Sequence, residues 1–223
     1  MIFQIAIDGP VASGKGTVAR MLARKLGLLC LDTGALYRGI TVHFIDHEID
    51  YADPVSYNRA LGEIELSVKC IDGMTFVFLN GEDITGRIRT NEVSLRVPNV
   101  AKLPEVRAKV FDVQRQVASD TSLVCEGRDI TSVVFPNARF KFYLTASVAQ
   151  RAKRRYNDLD GKVSIKELES QISERDNADM TRENSPLICV PTAIRIDASK
   201  IDAYAVVKRM ERIISKSLLG PRG

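Results

Sequence analysis

The stretch Ile5-Ala6-Ile7-Asp8-Gly9-Pro10-Val11-Ala12-Ser13-Gly14-Lys15-Gly16-Thr17 decides how the rest of the chain is read. An apolar, β-type run over residues 2–7 feeds a glycine-bounded loop, and a helical pattern follows over residues 17–26. Strand, loop and helix in that order are the context a phosphate-binding loop requires. Gly9 and Gly14 let the backbone turn so that its N–H groups point inward and, with the helix N-terminus, form an anion nest. Lys15 then reaches the terminal phosphates as a point charge. An ordinary glycine turn would call for neither the lysine nor the threonine. The usual pattern puts Ser or Thr directly after the lysine, whereas here Gly16 intervenes before Thr17.

Beyond the loop, Val18, Met21, Leu22 and Leu26 share one helical face, and Gly27 reads as the stop. Residues 28–31 form a short buried strand. It ends in Asp32-Thr33-Gly34-Ala35-Leu36-Tyr37-Arg38, where a helix starts with Thr33 as its cap. Alone, Arg38 would be a solvated surface group; beyond the carboxyl end of a strand and beside a phosphate loop, it is equally a ligand candidate. From residue 64 the period changes to two. Ile64, Leu66, Val68 and Cys70 alternate with polar residues, Asp72-Gly73 supplies a turn, and Phe76 and Phe78 follow before a second turn at Asn80-Gly81. This small antiparallel sheet lies inside an alternating strand–helix chain and reads as an inserted lobe. Pro104 opens an amphipathic helix reaching residue 118.

Residues 122–125 form a strand ending in Glu126-Gly127-Arg128-Asp129. The Arg–Asp neighbours suit a plain ion pair, while Gly127 would permit close backbone approach to a ligand. Residues 140–144 give another strand, followed by a helix dense in Arg151, Lys153, Arg154 and Arg155 that on composition alone is a solvated basic face. The polar loop 157–162 suits a hinge, and Ser164 with Glu167 forms a capping box. The next helix carries Glu174-Arg175-Asp176. Arg175, Asp179 and Arg182 share its face, a pattern that also suits a surface ion-pair ladder. A strand over 193–196 and an amphipathic helix over 202–219 close the chain.

The 223 residues fit one large domain or a core with inserted lobes, and 45% hydrophobic residues suffice for a packed core. No apolar run approaches the roughly 20 residues of a membrane span, and the N-terminus lacks the basic–apolar–small order of a secretory signal. A cytoplasmic protein is expected. The net charge of +4 and pI of 8.9 raise the thought of nucleic acid. The arginines are scattered rather than in one block, however, which suits a small polyanion. Aromatic residues, at 6%, are too few for a stacking surface. Cys30, Cys70, Cys125 and Cys189 lack metal-ligand spacing and read as buried, reduced thiols. His43 and His47 have no third ligand nearby and read as ordinary helix residues.

Taken end to end, the chain resembles the bacterial cytidylate kinases of the nucleoside monophosphate kinase family. The matching words are Asp8-Gly9-Pro10 leading into Gly14-Lys15-Gly16-Thr17, Asp32 to Arg38, Gly81-Glu82-Asp83-Ile84-Thr85, Ile88-Arg89-Thr90 and Pro104-Glu105-Val106-Arg107. They continue with Glu126-Gly127-Arg128-Asp129, Val133-Val134-Phe135-Pro136 and Glu174-Arg175-Asp176. The resemblance implies an α/β fold: a P-loop, doubly wound, five-stranded parallel sheet with an inserted monophosphate-binding lobe and a short helical lid. The core would comprise residues 1–34, 119–150 and 186–223. The monophosphate lobe would occupy 35–118, with its β insertion at about 62–90, and the lid 151–185. The implied reaction is ATP + CMP to ADP + CDP, with dCMP accepted, in a monomer that engages neither nucleic acid nor a membrane.

The resemblance also implies roles. Residues Gly9, Pro10, Val11, Ala12, Ser13, Gly14, Lys15, Gly16 and Thr17 would cradle ATP. Mg²⁺ would be carried by the nucleotide near Thr17 rather than held by stable protein ligands. Arg151, Arg154 and Arg155 would clasp the ATP phosphates. Thr33 would line the acceptor site, where Arg38, Arg128 and Arg182 hold the CMP phosphate, Arg175 and Asp179 the ribose, and Arg107 and Asp129 the base. Lys15, Arg128, Arg151, Arg154 and Arg182 would serve catalysis. One departure stands out. The family commonly has a cytosine-bonding serine eight residues after the threonine of Ile88-Arg89-Thr90, and this chain has Pro98, which has no hydroxyl and no N–H.

Other classes fit less well. An adenylate or uridylate kinase would share the loop and lid but not the inserted lobe. A guanine-reading switch would carry an Asn-Lys-x-Asp word, which the sequence lacks.

Overall fold

The computed structural model describes residues 2–72 and 74–218. The apolar run before the phosphate loop forms β1 (Gln4–Asp8), which lies in the middle of a five-stranded parallel sheet. Its companions are β2 (Leu29–Asp32), β6 (Leu123–Gly127), β7 (Phe140–Thr145) and β8 (Ile194–Asp197), in the order β2-β6-β1-β7-β8. Side chains alternate across a strand, so β1 feeds two cores. Ile5 and Ile7 pack with Val18 and Leu22 of α1 (Lys15–Leu26) and with Val206, Met210 and Ile214 of α8 (Ala203–Leu218). Ala6 faces the other way, toward Leu36, Ile40 and Phe44 of α2 (Thr33–Asp46) and Val106 and Val110 of α5 (Pro104–Ser119). Both faces are covered, as a parallel sheet requires.

The lobe anticipated from the change of period is a three-stranded antiparallel sheet of β3 (Leu66–Ile71), β4 (Met74–Leu79) and β5 (Glu82–Asp83). Leu66 stands opposite Leu79, and Val68 opposite Val77. The Asp72-Gly73 turn keeps Asp72 at φ 50°, and Gly73 lies outside the described residues, as does the end of the closing helix at Leu219. Two helices were not anticipated, α3 (Pro54–Gly62) and α4 (Asn91–Val100). The first has a legible start, with Asp53 accepting from the Val55 N–H and Pro54 beginning the helix. The second is capped by Thr90 but carries Pro98 in its interior, which hides it from a propensity reading.

Smaller differences are local. α2 is capped by Asp32, which accepts from the Ala35 N–H at 3.2 Å; Thr33 is inside the helix and donates its hydroxyl to the Glu126 carbonyl at 2.9 Å. α1 begins at Lys15, two residues earlier than its apolar pattern. Of the cysteines, Cys30 and Cys125 are buried, Cys70 is half-buried, and Cys189 is exposed, contrary to expectation; all four are free. The His43 and His47 rings lie 4.3 Å apart, and no group of three potential ligands occurs among the described residues. No helix among them is long and apolar enough to cross a membrane.

At the carboxyl end of β1 the chain cannot tolerate a side chain. A Cβ on Gly9 would stand 2.0 Å from the Leu144 carbonyl oxygen of β7. That neighbour is backbone in a paired strand, so it cannot move aside without breaking the ladder. Gly9→Ala is therefore expected to lower unfolding stability by about 3 kcal/mol or more, read by urea denaturation, and a variant within 1 kcal/mol or so of wild type would contradict this packing.

Candidate active site

The phosphate loop leaves β1 at Asp8 and enters α1 through Gly14, whose φ of 90° is the left-handed N-cap of that helix. Ala12 is also left-handed, at φ 55°. Alternation of this kind brings successive N–H groups to one side, an anion-binding concavity. Ser13 Oγ is buried there without a partner. Lys15 donates to the Pro10 carbonyl at 3.1 Å and stands 4.0 Å from Glu126 Oε2.

Two cavities flank this loop. One, of about 590 Å³, is walled by Ser13, Gly14, Gln150, Arg154 and the segment from Ala198 to Ala203 that follows β8. The other, a cleft of about 410 Å³, runs from the loop past β2 and β6 to α4 and the helix α7 (Ile165–Thr181). Ala12, Gly14 and Thr17 line both.

The cleft gathers residues from far apart in the chain. Arg38, Arg107, Arg128, Asp129, Arg155, Arg175, Asp179 and Arg182 all line it, with Thr33 beside them, and its lysines and arginines outnumber its carboxylates. Arg38 donates to the Ile88 carbonyl and to Ser94 Oγ, at 3.2 and 2.9 Å. Arg128 pairs with Asp179 at 2.8 Å. Arg107 pairs with Asp129 and sits over the Tyr37 ring, 5.5 Å from its centroid. Burial, reinforced by neighbouring arginines, pulls Arg175 down to about 10 and also lowers Arg38. Burial and the Arg107 charge outweigh the help of Asp129 at Arg182, whose Nη2 is buried without a hydrogen-bond partner. Such a cluster is short of negative charge.

Gly127 is the close approach that admits Arg128 and Asp129 to the cleft. A Cβ there would lie 2.6 Å from Thr33 Oγ1 and 2.7 Å from the Ile130 side chain. The following π turn (Ile130–Val134) is tied to β1, because the buried Asp8 carboxylate accepts from the Ile130 N–H at 2.8 Å, the Thr131 N–H at 2.7 Å and the Thr131 hydroxyl at 2.6 Å.

The three basic residues expected over the ATP phosphates separate. All are on α6 (Val148–Asp158). Arg155 lines the cleft and Arg154 the larger cavity, where it donates to the carbonyls of Ser13 (2.9 Å) and Ala198 (2.7 Å). Arg151 is behind the loop and 4% exposed, its guanidinium engaged with Ala146, Val11 and Asp176. Helical periodicity alone would group them, since residues 151, 154 and 155 all lie within one turn of a shared face. What separates them is the partner each meets along the helix: Asp176 and the Val11 carbonyl for Arg151, the Ser13 and Ala198 carbonyls for Arg154, and the cleft for Arg155. Arg182 is not on the α7 face with Arg175 and Asp179, as its spacing suggested; it is the extended residue that ends that helix.

Sequence reasoning did not select Glu126, Asp32, Arg20, Arg89 or Tyr37, all of which line the cleft. Glu126 and Asp32 stand at the carboxyl ends of β6 and β2, adjacent in the sheet, and that position was the signal available. Burial, followed by the Asp32 carboxylate, raises Glu126. Burial, followed by Arg128, lowers Lys15 against the pull of Glu126.

A family model described as cytidylate kinase matches residues 5–216. A protein of Pelotomaculum thermopropionicum called cytidylate kinase is 41% identical over 215 residues, covering 95% of each chain. Another of that name, from Caldicellulosiruptor bescii, is 38% identical over 215 residues with the same coverage. Among solved structures, an uncharacterized protein from Eubacterium ventriosum superposes with a TM-score of 0.57, covering 96% of this chain and 99% of its own at 14% identity, a likeness of fold.

The Glu126 shift has a measurable sign. Its folded value is above the unfolded one, so the folded state binds the extra proton and its stability falls as pH rises from 4.5 toward about 7. Glu126→Gln replaces the titrating carboxyl with a neutral amide and so removes the linked proton uptake. In the ligand-free protein the stability difference between variant and wild type should grow in the variant's favour as pH rises across this window, measured by chemical denaturation at several pH values. A flat difference would contradict the placement of Glu126.

Proposed function

Because the chain belongs to the cytidylate kinase family, we propose that the two cavities hold the two nucleotides of one reaction, ATP + CMP to ADP + CDP, across the phosphate loop. The observation that carries this reading is the shared wall: the same loop residues line both cavities, so a phosphoryl group in transit need not leave them. ATP lies in the larger cavity with its phosphates over residues 9–17 and Lys15 on the group transferred. Arg154 and Arg155 approach those phosphates from α6, while Arg151 acts from behind the loop. Arg38, Arg128 and Arg182 take the CMP phosphate, Arg175 and Asp179 the ribose, and Arg107 and Asp129 the base. dCMP serves as acceptor too. The enzyme works as a monomer on cytoplasmic small molecules, without nucleic acid or a membrane.

The residues present fit a Mg²⁺ ion that arrives with ATP. Thr17 offers an exposed hydroxyl, Asp32 and Glu126 line the same cleft, and no cage of three potential ligands exists among the described residues. Such an ion keeps several waters and rests on substrate phosphates with one or two carboxylates; when bound, it supplies charge neutralisation on the transferred group.

The acceptor oxygen of CMP is already an anion near neutral pH, so the chain needs no general base. The obstacle is repulsion between two polyanions. The cation-rich cleft meets it with charges fixed before substrates arrive, and preorganised charge is the largest contribution to many such reactions. Arg155→Ala should lower kcat by roughly 10²- to 10³-fold while leaving the KM for CMP within a few-fold in steady-state kinetics. If the KM for CMP rises steeply at unchanged kcat, Arg155 belongs to the acceptor site.

Base choice rests on Arg107 and Asp129. Cytosine presents an amine beside an acceptor nitrogen; a carboxylate accepts from the first and a guanidinium donates to the second. Uracil presents a carbonyl and an N–H in those places, which sets an acceptor against the carboxylate and a donor against the guanidinium, so neither contact with the base forms. Sites built on such polar complementarity discriminate by up to about 10⁴, and Pro98 in place of a hydroxyl residue places this chain below that ceiling. A coupled ADP-release assay with CMP and UMP tests the function itself. Asp129→Ala should reduce the preference to about 10² or less; a variant that keeps the wild-type preference would falsify this assignment.

A further inference from the structure

Three cationic side chains hold backbone carbonyls of the phosphate loop. The Pro10 carbonyl accepts from Lys15 at 3.1 Å, Val11 from Arg151 Nη1 at 3.1 Å, and Ser13 from Arg154 Nη1 at 2.9 Å. In a trans peptide the C=O and N–H point opposite ways, so the Val11 carbonyl, held toward the buried Arg151 that lines neither cavity, turns the Ala12 N–H the other way. The middle grip has a further layer. Arg151 Nη2 meets Asp176 Oδ2 of α7 at 2.5 Å, with the two side chains only 5% and 11% exposed. Asp176 is neighbour to Arg175 and one turn before Asp179, the partner of Arg128. The same elements share a small apolar nucleus, in which Val11 and Ala12 of the loop pack against Ala152, Leu168 and Ile172 of the two lid helices.

We propose that Asp176 is a positioning residue for phosphoryl transfer: through Arg151 it fixes the peptide between Val11 and Ala12 and holds the donor loop in register with the acceptor-facing helix α7. The proposal rests on the assignment of donor and acceptor sites above and adds a residue that lies behind both. Arg151 is buried and stays there because its charge is paired. A guanidinium without its carboxylate is drawn toward solvent, and its departure frees the Val11 carbonyl to turn inward, toward the place of the phosphates. Misplacement of a reacting group by about 1 Å costs on the order of 10² in rate.

Two variants separate positioning from stability. Asp176→Asn should lower kcat about 10²-fold with the KM for CMP within about three-fold. Calorimetry should show a non-hydrolysable ATP analogue, without acceptor, binding about ten-fold more weakly, as for loss of one charged hydrogen bond. Arg151→Met combined with Asp176→Leu removes both buried charges. It should recover the thermal midpoint lost in Asp176→Asn yet keep the low kcat, because nothing then holds Val11. The proposal is overturned if Asp176→Asn keeps wild-type kcat and analogue affinity, or if the double variant regains kcat along with its stability. The calorimetric arm needs no acceptor. A wild-type protein inert toward CMP whose analogue affinity still depends on Asp176 would count against the proposed function alone.

Discussion

The carboxylate of Asp8 is the joint on which the cleft depends. It ends the central strand, precedes the phosphate loop by one residue, and accepts three hydrogen bonds from Ile130 and Thr131 across the sheet. Burial works against its charge, and the bonds from Thr131 and Ile130 work for it. A buried carboxylate is tolerable only when such donors satisfy it. The consequence is geometric. The segment that carries Arg128 and Asp129 is fastened to the residue from which the loop departs, so the two halves of the cleft take their positions from one point.

Much of this was legible because it is local. The strand–loop–helix grammar, the change from helical period to alternation at residue 64, and the capping serine at 164 are each written within a few residues, and each matches the structure. Partnerships were not legible, since they join distant residues: Arg128 with Asp179 spans 51 positions, and Arg151 with Val11 spans 140. A basic run on a helix has no way to announce which of its members points at solvent, at a cavity or at a backbone carbonyl. The acidic pair Asp32 and Glu126 was missed for a different reason. A search for anion binders looks for positive charge, and these carboxylates stand beside Lys15.

The cleft stores unfavourable electrostatics in the unliganded state. Its arginines are kept in place mostly by backbone carbonyls and by single carboxylates, contacts that fix direction without cancelling the charge of the cluster. On the proposed assignment, the anionic phosphates of the nucleotides supply what is missing. Affinity and charge stabilisation in transfer therefore draw on one source, and a substitution that made the free protein more comfortable by adding a carboxylate would work against binding.

The order of strands has a consequence for the newborn chain. β1 pairs with β6 and β7 and with nothing earlier, and the bond from the Phe3 N–H to Ser122 Oγ closes a span of 119 residues. On a ribosome adding roughly 5–20 residues per second, the central strand waits many seconds with both edges bare. Pairings so distant in sequence are also slow to form once available. The central strand thus has no partner for either edge until residues 123–145 have been made, and its pairing is among the last steps the order of synthesis allows.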